Sequence, residues 1–135
     1  MKSKSILFAI IFALPLLAFA KDVRLEANRE FNACMKETKK DREQCNFGGC
    51  GNIAGTCYER QVNSISSATD VLVKNLKSGR CAQSVDVASN EIEALNSKLK
   101  LLAPFDGTWS GYDVQVEIAL LKNTVMNALT KECRQ

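Results

Sequence analysis

Apolar residues recur along this chain at steps of three and four, the period of an α-helix with one buried side. From Asp22 to about Glu43, Leu25, Asn28, Phe31, Met35 and Thr38 fall at helical spacing. Phe31, Cys34 and Met35 mark the buried side of this first segment. The stripe is thin, which predicts a covering helix that frays at its start. The second segment is the most regular: Tyr58, Val62, Ile65, Thr69, Leu72 and Leu76 step by four, three, four, three and four, with Ala68 widening the stripe. Arg60, Lys74 and Lys77 lie off it, and Ser78-Gly79 supplies a glycine suited to the left-handed position at a helix C-terminus.

A third helix is expected after Cys81, with Ser84 as N-cap and Asp86 in the first turn. Its stripe is Val85, Ala88, Ile92, Leu95, Leu99 and Leu102, with Glu91, Glu93, Lys98 and Lys100 mostly outward. Pro104 stops it, and Phe105-Asp106-Gly107 reads as a turn. The fourth helix starts near Thr108 or Ser110, where Ser110-Gly111-Tyr112-Asp113 resembles a capping box. Val114, Val116, Ile118, Ala119, Leu120, Leu121, Val125, Met126 and Leu129 cover more than one stripe, which predicts the most buried helix. Val114–Ile118 alternates and is the one place where a strand competes, but its flanks favour helix. Four helices with short connections imply an all-α fold, a disulfide-stapled antiparallel four-helix bundle.

The stretch from Cys45 to Cys57 holds three of the six cysteines and four of the seven glycines. Such a stretch predicts a pinned turn between the first two helices, with glycine permitting positive φ and cysteine bridges removing the loop's freedom.

The first twenty residues carry a different signal. Lys2 and Lys4 precede an apolar run from Ile6 to Leu17, with Pro15 near its end, and Ala18-Phe19-Ala20 places small residues at −3 and −1. This is the pattern of a secretory signal peptide, too short and wrongly flanked for a membrane span. A retained membrane anchor is the alternative. Domain organisation is then residues 1–20 as signal peptide and 21–135 as a single helical domain. Of 18 Lys and Arg, loss of Lys2 and Lys4 leaves 16 against 15 acidic residues. Charge so balanced gives no reason to expect nucleic acid or an anionic membrane as partner. All six cysteines follow the signal, no Asn-x-Ser/Thr sequon occurs, and both facts lean towards a bacterial periplasm or secretion.

Six cysteines allow fifteen pairings. Helix order narrows them. If the first two helices form a hairpin, Cys45 faces Cys50 across its turn and Cys34 meets Cys57 one step further out. If the last two are likewise antiparallel, Cys81 meets Cys133.

The chain has no histidine, which removes Ser-His-Asp and Cys-His catalysis and zinc sites that need histidine. No Cys-x-x-Cys pair occurs, and Gly48-Gly49-Cys50-Gly51 lacks the strand and the Lys-Ser/Thr of a phosphate loop. No cofactor or metal is expected. Asp113 and Glu117, four apart near Trp109 and Tyr112, are the one carboxylate pair that a glycosidase reading would use. A capping residue and a solvated glutamate beside core aromatics account for them more simply, so no enzyme is expected. Recognition is left. Phe47 in a rigid loop is either an exposed anchor for a partner's cleft or a cap folded back on the end of the helices. Arg42, Asn46 and Asn52 flank it with hydrogen-bonding groups.

Cys50, Cys57-Tyr58, the long helix through Thr69-Asp70-Val71-Leu72 to Leu76, Trp109 with Tyr112, and a closing Cys133 resemble the LprI-like lysozyme-inhibitor family. The resemblance spans roughly residues 50–133. The chain departs from that pattern in lacking a tyrosine late in the first long helix. It also has Tyr112 and Asp113 where an arginine and a cysteine tend to follow the tryptophan. The resemblance implies a small exported helical protein with disulfides that blocks a peptidoglycan-cleaving enzyme. A muramidase inhibitor and an immunity protein against a delivered cell-wall toxin both fit. A carrier holding a small apolar ligand beside Val116, Leu120 and Met126 is the alternative from another class, and a purely structural periplasmic protein is a third.

Overall fold

The computed structural model describes residues 22–46, 50–102 and 107–134. The expected signal peptide, Phe47 with its glycine neighbours, and Pro104-Phe105-Asp106 lie outside the described residues. Among those described, the chain forms five α-helices and no strand: α1 Val23–Glu37, α2 Lys39–Glu43, α3 Cys50–Lys77, α4 Ala82–Leu102 and α5 Trp109–Cys133. The alternating stretch 114–118 is helical, as its flanks require.

α3 is the central element. It packs against α1, α2, α4 and α5, and seven of its residues are buried. α5 buries five, Gly111, Val116, Leu120, Asn123 and Met126, which form a single stripe, and Leu121 is exposed. The expectation that the last helix would be the most buried is therefore corrected. Its additional apolar residues are only partly covered because α4 makes the thinner contact, meeting α5 and α3 through Val85 and Ile92.

Two apolar clusters hold the helices together. Ile65 of α3 meets Ala27 of α1 and Val116 and Leu120 of α5, with Val23, Tyr58, Val62 and Ala119 around them. Further along, Leu76 of α3, Val85 of α4 and Met126 of α5 form the second, beside the Cys81–Cys133 bridge. Between these clusters sits a buried polar contact. The Asn123 side-chain amide donates to the Thr69 hydroxyl at 3.0 Å, and that hydroxyl donates to the Ile65 carbonyl at 2.8 Å. Asn127 supplies a further donor to the Asn123 side-chain oxygen at 2.9 Å. Satisfied in this way, the polar pair fixes α5 lengthwise on α3 at little cost. At the surface Arg60 spans Glu30 and Glu37 of α1, at 2.8 Å each.

Several boundaries differ from the sequence pattern. The first expected helix is interrupted at Thr38, whose hydroxyl donates to the Cys34 carbonyl at 2.8 Å and competes with the regular helical pattern there. It is capped rather than frayed, since Asp22 accepts from the backbone N–H groups of Arg24 and Leu25. Ala27 takes the core position, while Leu25 is exposed. Ala68 is exposed too and does not widen the stripe of α3. α4 begins before Ser84, so that residue is not its N-cap, and Asp86 instead pairs with Lys77 at 3.0 Å. Thr108, not Ser110, caps α5, its hydroxyl accepting from Gly111 N–H. Gly79 does not have positive φ; Gly107 does, at 75°.

The largest difference concerns the cysteine- and glycine-rich stretch. α3 starts at Cys50, so the turn is short and Gly51 and Gly55 are helical. The two glycines have opposite surroundings. A Cβ on Gly51 would meet nothing within 4 Å, whereas one on Gly55 would run into the hydroxyl and Cζ of Tyr112. Tyr112 has little room to retreat, because its ring is stacked on Tyr58 with centroids 5.1 Å apart. Gly51→Ala is expected to stabilise the fold by about 0.5–1 kcal/mol through reduced freedom of the unfolded chain. Gly55→Ala gains the same helix propensity but forces the ring aside at about 1–3 kcal/mol, for a net loss. Thermal unfolding of the two variants, Tm up for one and down for the other, checks this.

Cysteines 34 and 57, 45 and 50, and 81 and 133 are bridged, with Cα–Cα distances of 5.3, 5.8 and 6.1 Å. These are the three pairs that helix order predicts. Three bridges fit an oxidising, extracellular-type environment. No helix among the described residues is long and apolar enough to cross a membrane.

Candidate functional site

Two regions bring polar side chains together at the surface. The first is the turn between α2 and α3. The Cys45–Cys50 bridge closes it directly, five residues apart, and the Cys34–Cys57 bridge ties α1 to α3 behind it. Asn46, just inside the bridge, and Asn52, in the first turn of α3, are both exposed. Phe47 lies outside the described residues. Arg42 is half-buried and turned inward: its Nη2 donates to the Met35 carbonyl at 2.7 Å, and its Nε is enclosed with no hydrogen-bond partner. Of the expected flanking groups, the two asparagines are presented to solvent, and Arg42 braces α2 against the end of α1.

The second region is a cleft where α1, α3 and α5 meet. Helical spacing aligns its residues: Arg24, Asn28 and Phe31 on α1, Tyr58 and Gln61 on α3, and Asp113, Val116 and Glu117 on α5. The cleft has a volume of about 280 Å³. Tyr58 is its hub, with Phe31 at 4.7 Å, Tyr112 stacked at 5.1 Å and Trp109 edge-on at 5.9 Å, centroid to centroid. The Tyr58 hydroxyl donates to Asp113 Oδ1 at 3.2 Å. Burial, then the nearby Asp113 charge, raises the Tyr58 pKa, so it remains a donor across the neutral range. Gln61 donates to the Asn28 side-chain oxygen at 2.8 Å. Arg24 grips Glu117 with both Nη atoms, 3.0 Å to each carboxylate oxygen.

No family model, curated protein or solved structure matches this chain. The Arg24 hydrogen bonds and charge lower the Glu117 pKa, so this carboxylate is ionised at neutral pH. A glycosidic general acid needs the opposite shift. Asp113 is not a helix cap, as the sequence suggested, but the acceptor for Tyr58. Trp109 is not a core aromatic either; it stands 58% exposed at the start of α5. Among the described residues no group of His, Cys, Asp or Glu is arranged to hold a metal ion.

The sequence pattern marks Trp109, Tyr112, Asp113 and Glu117 but not the cleft, because Asn28 and Phe31 belong by their spacing to a covering helix and Arg24 stands off its stripe. The one local signal was the polar Asn28 at a stripe position of α1. Of the residues named for a carrier cavity, Leu120 packs into the core against Ile65 and fully buried Met126 against Leu76 and Val85, while Val116 packs against Ile65 and also borders the cleft.

Proposed function

We propose that this is an exported periplasmic protein, an antiparallel four-helix bundle in which α1 and α2 together form the first arm. It binds and inhibits a peptidoglycan-degrading enzyme, as a muramidase inhibitor or as an immunity protein against a delivered cell-wall toxin. The LprI-like resemblance belongs to the same proposal. The observation that carries it is the turn between Cys45 and Cys50, closed by its own bridge and backed by a second, with Asn46 and Asn52 exposed at its base. A loop held in this way loses little entropy when it enters a partner's cleft, so contacts made by Asn46, Phe47 and Asn52 convert to affinity. Phe47 is the anchor, as buried aromatics are at interface centres, and Arg42 stiffens the approach. Core packing of Leu120 against Ile65 and of fully buried Met126 against Leu76 and Val85 supports this reading over the carrier.

Titrating oxidised protein into a turbidity assay of cell-wall lysis by a panel of muramidases and delivered cell-wall toxins tests it. A saturable loss of lysis with at least one enzyme is expected. Full activity of every enzyme at micromolar protein would overturn the proposal.

A further inference from the structure

The cleft between α1, α3 and α5 lies apart from the disulfide-closed turn in its residues, and its lining is of a different kind. We propose that it binds a pyranose ring of a saccharide or glycan chain. Its apolar lining is Phe31, Tyr58 and Val116, and its planar polar groups are the Asn28–Gln61 amide pair, Asp113, and the Arg24–Glu117 ion pair. A sugar ring needs both. Its hydroxyls take paired donors and acceptors, and its C–H face lies on an aromatic surface that a fully polar pocket cannot provide.

Size and charge narrow the ligand further. At about 280 Å³ the cleft falls just below the range of sites for drug-sized molecules, which suits one ring. The Arg24 guanidinium is already neutralised by both oxygens of Glu117, so an anion finds no uncompensated cation. After its bond from Gln61, Asn28 keeps its amide N–H groups, and Asp113 keeps a second oxygen beside the one held by Tyr58. These are a donor on α1 and an acceptor on α5, the two kinds of partner that sugar hydroxyls take. Trp109, edge-on to Tyr58 and exposed, extends the aromatic surface past the cleft, where a second ring of a chain would lie.

The proposal does not rest on enzyme inhibition and can hold where that fails. Trp109 is the only tryptophan in the chain, so its emission reports on this region alone. Wild-type protein is titrated with N-acetylglucosamine trimer and with β-1,4-glucose trimer, followed by tryptophan emission and by calorimetry. Purified peptidoglycan sacculi are used in a parallel co-sedimentation arm. Saturable binding of a trimer is expected, with Kd on the order of 1 mM or tighter for so small a contact. Calorimetry should show Asp113→Asn and Trp109→Ala each weakening it about tenfold or more, with Asn46→Ala unchanged. Trp109 is exposed, so its removal spares the core, and unaltered Tm keeps the comparison valid. Binding of trimers and sacculi points to a glycan chain, and trimers alone to a free saccharide; both uphold the proposal. No saturable binding of either trimer, or wild-type affinity in both cleft variants, would overturn it.

Discussion

Replacing Cys81 and Cys133 together by serine is expected to cost about 4 kcal/mol, the largest effect of any bridge in the chain. The two residues are 52 apart, and closing so long a loop removes more freedom from the unfolded chain than the 23-residue and 5-residue separations of the other pairs. On the chain-entropy account the shortest bridge contributes only about 2 kcal/mol. Cys81 opens the connection into α4 and Cys133 ends α5, so this bridge also ties α4, the least packed of the three long helices, to α5. Leu76, Val85 and Met126 pack beside it and would loosen with it. Urea unfolding of the double variant should show the loss, with Tm lower by about 15 °C for a domain of this size. A loss under about 1 kcal/mol would mean that the unfolded chain already keeps these ends together.

Ile65→Ala is expected to follow closely, at about 3–4 kcal/mol. Ile65 has 0% exposure and joins three helices at one point, touching Ala27, Val116 and Leu120. The cavity left by its truncation has little prospect of closing. Ala27 has only a methyl group, which no rotation can move into the space, and the Asn123–Thr69 bond fixes α5 against α3 one turn further along. Denaturant unfolding should show the midpoint falling with m unchanged; a cost near 1 kcal/mol would show that the helices slide to fill the site.

Both predictions concern features that were legible before the fold. Ile65 stands in the middle of a six-residue stripe, and Cys81 and Cys133 flank two neighbouring helical segments. Helical periodicity and connection order are local properties, and they carried the helix content and all three bridges. What was not legible depended on neighbours distant in sequence. Gly55 reads as a flexible turn residue until Tyr112 is seen against it. Asn123 is not among the apolar positions that mark the last helix, yet it is buried on the Thr69 hydroxyl. Arg24 and Glu117, 93 positions apart, carry no pattern that joins them, and with Tyr58 and Asp113 they make the cleft. Helix ends differ from the sequence pattern for a related reason. Asp22 and Thr108 cap their helices by bonds that composition alone does not distinguish from those offered by Ser84 or Ser110.

On the proposed function, the pinned turn after α2 is an inhibitory surface anchored by Phe47. The measurement that tests it most directly is the inhibition constant of wild type and of Phe47→Ala against the enzyme the wild-type protein blocks most strongly in the lysis assay. A hot-spot aromatic contributes about 2 kcal/mol or more, so the variant should inhibit at least about 30-fold less tightly while its Tm is unchanged. Equal inhibition constants for the two proteins would contradict the claim.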